Sequence, residues 1–257
     1  QKTAYEMLRS LVGSEMCIRD RHWGFQEESK MALKSGELWG RPVVIVDVNR
    51  DERLALGKTW LAGTHYLWSD HNRQAPRYKL ARAAAEDGCK VVLTGDSGDE
   101  LFSGYLHHDK RFNPVYCEEM VNKAKEWRWF PDRVFEFTDD MANSLFIDLL
   151  TTSEQNILAT DQTVGLFGME ARIPLLTQRY VHYNMSLPTN TRFKQIKGLD
   201  LGTTKYLMRV IMKDYLPKHV VERTQKTGWS SPWDNNHPQQ QARWRREDLE
   251  LLKRLGA

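Results

Sequence analysis

Asp96, Asp99 and Glu100 set three carboxylates in one run of five residues. They lie in Val91–Tyr105, VVLTGDSGDELFSGY, where an apolar β-branched run gives way to glycines and acids. Ligands of open α/β sheets bind beyond the carboxyl ends of the strands. Gly95 and Gly98 let the backbone turn tightly and come close to a ligand. Hard oxygen ligands at such an edge suit Mg²⁺ held together with phosphates. The same acids also suit the start of a helix from Leu101, where carboxylates meet unpaired N–H groups. Spacing alone leaves both readings open.

The surrounding elements decide what such a turn can be attached to. The patterning predicts a helix over Phe25–Leu38, a buried strand over Val43–Val48 and a mixed, helical Arg53–Leu67. Ser69–Gln74 reads as a polar loop. Tyr78–Asp87 is Ala-rich and helical, with Gly88 as the residue that ends it. Lys90–Thr94, KVVLT, reads as a second buried strand running straight into the acidic turn. Helices and strands in this order indicate an α/β parallel sheet. Beyond Glu118 the texture becomes helical: Glu118–Arg128, Ala142–Thr160, Gln162–Ala171, Arg179–Ser186 and Thr203–Tyr215. Asp200–Gly202 could cap the last of these, and Leu216-Pro217 would end it. The charged tail from Gln239 suggests one more helix.

Three ordered stretches carry a resemblance. TGDSGDELFSGY resembles the SGEGSDEVFGGY or SGxGxDELFGGY signature of the asparagine synthetase family, in its C-terminal ATP-dependent amidating domain. DQTVGLFGMEARIPLL, Asp161–Leu176, resembles D-x-x-S-M-A-x-x-x-E-x-R-V-P-F-L-D through Asp161, Glu170, Arg172, Pro174 and Leu175. Lys205–Pro232 resembles K-x-x-L-R-x-A-x-x-x-x-L-P-x-x-[VI]-x-x-R-x-K-x-G-F-x-x-P. The resemblance runs from about Phe25 to about Trp233.

The resemblance implies a doubly wound parallel sheet of the adenine nucleotide α-hydrolase, pyrophosphate-loop type, followed by a helical layer. It implies adenylation of a carboxylate, most simply aspartate, by ATP with Mg²⁺, then displacement of AMP by ammonia from a glutaminase domain. By motif position Thr94, Gly95, Gly98 and Glu100 would contact the nucleotide, and Asp99 would hold Mg²⁺. Asp96 falls where the family has a longer Glu near the reacting carboxyl. Lys226, followed by Gly228, Trp229 and Pro232, would stabilise charge at the acyl centre. A relative amidating another carboxylate (β-lactam-forming or lasso-peptide type) and a degenerate scaffold are the alternatives. Asp99, Glu100 and Lys226 count against the scaffold.

The departures are specific. Trp229 stands where Phe is usual, and Arg223 and Lys226 are three apart rather than two. No SGGLDSS-type pyrophosphate loop occurs; Lys34-Ser35-Gly36-Glu37 lacks its second Gly, its Asp and its Ser. That loop and the glutaminase domain are expected upstream. Gln1–Arg21 reads in frame like a translated sequencing-library adapter, so residues 1–21 are expected to be non-native. Residues 22–257 are then a partial amidating domain, inactive alone. Cys89 is expected to be a buried packing residue.

Composition fits. Lys+Arg 37 against Asp+Glu 34 gives a net charge of +3, without the basic excess of a dedicated nucleic-acid binder. Trp127, Trp129 and Phe130 beside Lys123, Lys125 and Arg128 resemble a single-strand platform, but a helix covering a core explains them as well. His107-His108 with Asp109 reads as a surface loop. No apolar run reaches the roughly 18 residues needed to span a bilayer. Three cysteines fit a reducing compartment. A cytoplasmic enzyme without membrane or nucleic-acid partners is expected, and a homodimer is compatible with it.

Overall fold

The computed structural model describes residues 18–19, 26–48, 50–65, 71–105, 140–192, 204–222, 250 and 253. The chain divides into two compact units. One comprises Gln1–Thr94, Ile157–Arg172 and Lys226–Ala257; the other comprises Gly95–Asn156 and Ile173–Gln225.

The first unit holds β1 (Ile18–Arg19), α1 (Gln26–Trp39), β2 (Val46–Asp47), α2 (Arg50–Thr64), α3 (His71–Glu86) and β3 (Val91–Leu93). α6 (Thr152–Gly165) begins in the second unit and ends in the first, where β4 (Glu170–Arg172) follows it. β1 pairs with β2 and β3 with β4, both in parallel. Among the described residues these are two separate two-stranded ladders rather than the one doubly wound sheet expected. The parallel sense holds; among the described residues a continuous sheet does not appear.

Packing explains where elements depart from their sequence patterns. α3 starts at His71, inside the segment read as a loop, and carries Pro76 within it. A proline there gives up a helical N–H bond. Burial offsets the loss: Ala75 is buried with Val48 and Leu56 in one core cluster. Trp60, Leu61 and Ala159 form another, and the Trp60 indole donates to Thr163 Oγ1 at 2.6 Å. β3 is less buried than its apolar run implied, with Val91 exposed. Its inner side joins Val92 and Ala171 to Ala81, Val164 and Met169.

Gln162–Ala171, read as one helix, instead ends a helix, turns and becomes β4. Gly168 makes the turn at φ 67°, a conformation that costs glycine little. Met169 N–H reaches Val164 O and Gly168 N–H reaches Gly165 O, the paired bonds of a Schellman ending. Gly88 ends α3 in the same way, as its position promised, at φ 79°. Cys89 beyond it is exposed, which corrects the expectation of a packing role. It lies in an exposed run, residues 86–91.

The second unit holds α4 (Gly98–Phe102), α5 (Asp140–Leu150) and the start of α6. A 3-10 turn (Pro174–Leu176), α7 (Gln178–Ser186), α8 (Thr189–Arg192), α9 (Tyr206–Met212) and α10 (Lys218–Val221) follow. Ala142–Thr160 is thus two helices. Thr151 Oγ1 donates back to Ile147 O at 2.8 Å, a bond of the kind that bends a helix. The core here gathers Leu101, Phe102 and Leu175, with Tyr180, Leu207 and Met208 against them. α9 is shorter than the predicted helix, and Pro217 starts α10 instead of ending α9.

Glu118–Arg128, His107–His108, the Trp127–Phe130 cluster and Asp200–Gly202 lie outside the described residues. Of the tail helix only Glu250 and Lys253 are described, paired at 2.9 Å. No described helix is long and apolar enough to cross a membrane.

Candidate active site

β3 hands the chain to the acidic turn. Thr94 is buried, and its N–H bonds Arg172 O at 3.0 Å, which extends the β3–β4 ladder by one link. The boundary between the two units falls between Thr94 and Gly95. Gly98 N–H returns to Gly95 O at 3.2 Å and closes the turn in the second unit. Asp96 and Ser97 are buried within it. Ser97 is left-handed, at φ 70°, and α4 begins at the next residue. The helix therefore starts three residues before Leu101, and Asp99 and Glu100 occupy its first turn.

Asp99 and Glu100 are adjacent but chemically different. Asp99 Oδ1 accepts from Lys205 Nζ at 3.3 Å, and both side chains keep part of their surface exposed. Lys205 is held by its backbone: left-handed at φ 56°, it donates its N–H to Phe102 O at 3.1 Å. Arg209 fixes the same corner, with Nε on Thr204 O at 2.9 Å and Nη1 on Val221 O at 2.7 Å. Gly104 lies directly under Asp99. A Cβ at Gly104 would overlap the Asp99 carboxylate, so only a residue without one lets that carboxylate rest there.

Glu100 faces the interior. It is 1% exposed, and Tyr105 Oη donates to its Oε1 at 2.7 Å. Desolvation raises its pKa to about 7, with the nearby charges of Asp99 and Asp148 adding to the rise; the Tyr105 bond works against it. Burial, then the charge of Glu100 and those of Asp99 and Asp148, push the Tyr105 phenol well above its ordinary value. Asp148, on α5, is itself fully buried. The first turn of α4 thus carries a buried, hydrogen-bonded acid, Glu100, next to an ion-paired one, Asp99.

The turn brings together Gly95, Asp96, Gly98, Asp99 and Glu100, with Thr94 next to them in the chain. Lys226 lies outside the described residues, as do Gly228, Trp229 and Pro232. Three participants had no assigned role in the sequence: Lys205, Tyr105 and Asp148. Lys205 and Tyr105 lie inside the motif segments, so their positions were visible though their partners were not. Asp148 is far from the turn in sequence and gave no local signal.

This arrangement meets an independent comparison. The model of the asparagine synthase family matches residues 69–254, more than half of the chain. The chain belongs to the asparagine synthase family. Membership brings the adenine nucleotide α-hydrolase class of fold, of which the described residues show parallel strand pairs and flanking helices. Among similar proteins is an asparagine synthetase (glutamine-hydrolyzing) of Brassica oleracea, 27% identical over 153 residues, covering 58% of this chain and 22% of that protein. The second such enzyme of Oryza sativa subsp. japonica is 27% identical over 154 residues, covering 58% of this chain and 21% of its own length. One from Sandersonia aurantiaca is 27% identical over 154 residues, covering 58% and 24%. The chain thus spans about a fifth to a quarter of the length of these relatives.

The donor set can be tested against a divalent cation. No group of three metal-binding side chains converges among the described residues. A closed structural metal site is therefore not what these residues offer. Mg²⁺ asks for less: one or two carboxylates, with substrate phosphates and water completing the octahedron. Partly exposed Asp99 fits that demand, whereas Glu100 is occupied by Tyr105.

Proposed function

We propose that this chain is part of an ATP-dependent amidating domain that activates aspartate and yields asparagine. The observation that carries the reading is the turn itself. A parallel strand delivers Thr94–Glu100 into a short helix, and the partly exposed Asp99 sits beside an ammonium, in a chain of this family.

The chemistry proceeds in two steps. A carboxylate oxygen of aspartate attacks the α-phosphorus of ATP, and pyrophosphate leaves. Ammonia then attacks the acyl carbon, AMP leaves, and the nitrogen loses a proton. By motif position Thr94, Gly95 and Gly98 would contact the nucleotide, and the two glycines would let backbone groups come close to it. Asp99 would hold Mg²⁺, which when bound would offset the charge of the phosphates. Asp96, one methylene shorter than the family's Glu, stands near the reacting carboxyl. Lys226 opposes the negative charge that develops there. Glu100, assigned to the nucleotide by motif position, supports the turn from within through Tyr105.

Ammonia comes from a glutaminase domain upstream, along with the pyrophosphate loop. Residues 1–21 are foreign to the domain. A pyrophosphate loop works by aiming backbone N–H groups at phosphates. Residues 22–257 alone therefore bind Mg-ATP weakly and do not turn over. The test is aspartate-dependent ATP–pyrophosphate exchange, in residues 22–257 and in the protein extended through its upstream reading frame. Exchange only in the extended protein supports the proposal. Its absence from both overturns the activity; micromolar Mg-ATP binding by residues 22–257 overturns the placement of the phosphate contacts.

A further inference from the structure

Lys205 sits where local chemistry argues against it. It is left-handed at φ 56°, a conformation that disfavours any residue with a Cβ. It stands immediately before α9, at the positive end of that helix, where a cation is unfavourable. Arg209 follows it by four residues, and like charges at that spacing on a helix repel. Backbone strain of this kind persists only where the surroundings hold it, and it tends to mark functional positions. Lys205 N–H donates to Phe102 O at 3.1 Å, and Arg209 N–H donates to Lys205 O at 3.0 Å. The Arg209 guanidinium adds two more bonds. Its Nε donates to Thr204 O at 2.9 Å and its Nη1 to Val221 O at 2.7 Å. Both acceptors are backbone carbonyls, so the side chain ties the peptide before α9 to the last residue of α10.

The held backbone has a destination. Lys205 extends to Asp99, and its Nζ lies 3.3 Å from Oδ1. The same carboxylate packs on Gly104, where a Cβ would overlap it. Groups that hydrogen-bond a metal's ligands orient those ligands, and removing one weakens the metal although it never touches it. Asp99, Phe102, Gly104, Lys205, Arg209 and Val221 all belong to one compact unit, so the route from Arg209 to Asp99 stays within it. We infer that Arg209 is a positioning residue for the reaction. By holding the Thr204 and Val221 carbonyls it keeps Lys205 left-handed with its ammonium on Asp99, and so sets the carboxylate that is to receive Mg²⁺. This rests on the reading of Asp99 as the Mg²⁺ ligand.

The experiment uses the extended protein with Mn²⁺ as the probe, α,β-methylene-ATP in place of ATP and no aspartate. Binding is then read by electron paramagnetic resonance without turnover. Arg209→Gln should weaken Mn²⁺ binding about tenfold, the low end of what losing a group behind a metal ligand costs. Lys205→Gly removes the ammonium, and glycine keeps the left-handed backbone at little cost; it should weaken Mn²⁺ binding by a similar factor. The double variant should bind no more weakly than Lys205→Gly, since Arg209 then has no ammonium to position. In ATP–pyrophosphate exchange Arg209→Gln should need correspondingly more Mg²⁺ for half-maximal rate, with glutamine hydrolysis unchanged. Arg209→Lys keeps the charge and can serve only one of the two carbonyls, so it should show a smaller weakening, and it stands in if the glutamine variant does not fold. Unaltered Mn²⁺ affinity with a lowered Tm in the Arg209 variants overturns the inference and leaves the guanidinium a structural clamp. Unaltered affinity in Lys205→Gly, or losses that multiply to about a hundredfold in the double variant, overturn the route through Lys205. Asp99→Asn separates the two readings: Mn²⁺ binding unaltered by it overturns the metal role of Asp99, and this inference with it.

Discussion

Glu100→Gln removes the charge of a carboxyl that burial disfavours. Glu100 is 1% exposed and its folded-state pKa is raised from 4.5 to about 7. The sign follows from proton binding. Between those two values the folded protein keeps the proton and the unfolded chain has lost it, so stability falls as pH rises. The full stability is present below pH 4.5, and the loss is complete above about pH 7. A shift of that size corresponds to about 3 kcal/mol at 1.36 kcal/mol per unit. Glutamine is the neutral isostere and keeps an oxygen to accept from Tyr105 Oη, which now bonds Oε1 at 2.7 Å. The variant should therefore match the parent near pH 4.5 and exceed it by up to about 3 kcal/mol at pH 8, or roughly 6–12 °C in Tm. The assay is urea or thermal unfolding of both proteins from pH 4.5 to 8, with chelator present. The difference between the two curves isolates Glu100, because other carboxylates titrate in both. A difference that stays flat across this range, or a variant less stable than the parent at pH 8, would refute the reasoning.

Asp99→Asn in the extended protein should abolish ATP–pyrophosphate exchange and spare glutamine hydrolysis, since a neutral amide is a far weaker Mg²⁺ ligand; normal exchange at ordinary Mg²⁺ concentration would exclude the metal role. Gly104→Ala should destabilise by about 1–3 kcal/mol, because its Cβ overlaps the Asp99 carboxylate. Exchange should fall with it as Asp99 leaves Lys205; unfolding at the parent midpoint would show that the close approach is not needed. Deleting Gln1–Arg21 removes β1, whose ladder to β2 is only two residues long. Tm should stay within about 2 °C, and a drop of several degrees would mean that this segment packs as part of the domain.

Local chemistry in the sequence was enough for the turn. Glycines and acids after a β-branched run give a strand, a tight turn and a helix start, because those choices depend on nearest neighbours. Gly88 ended its helix for the same reason. The family, too, was legible from three ordered motifs. Tertiary packing decided the rest. α3 runs back through Pro76 because Ala75 is buried against Val48 and Leu56, which lie far from it in sequence. β4 sits where a helix was expected because Gly168 turns the chain and Lys90–Leu93 offers a parallel partner. Asp99 and Glu100 look alike as letters. Only the fold sets one beside Lys205 and encloses the other with Tyr105 and Asp148, and water excluded from the second is what makes its proton hard to remove.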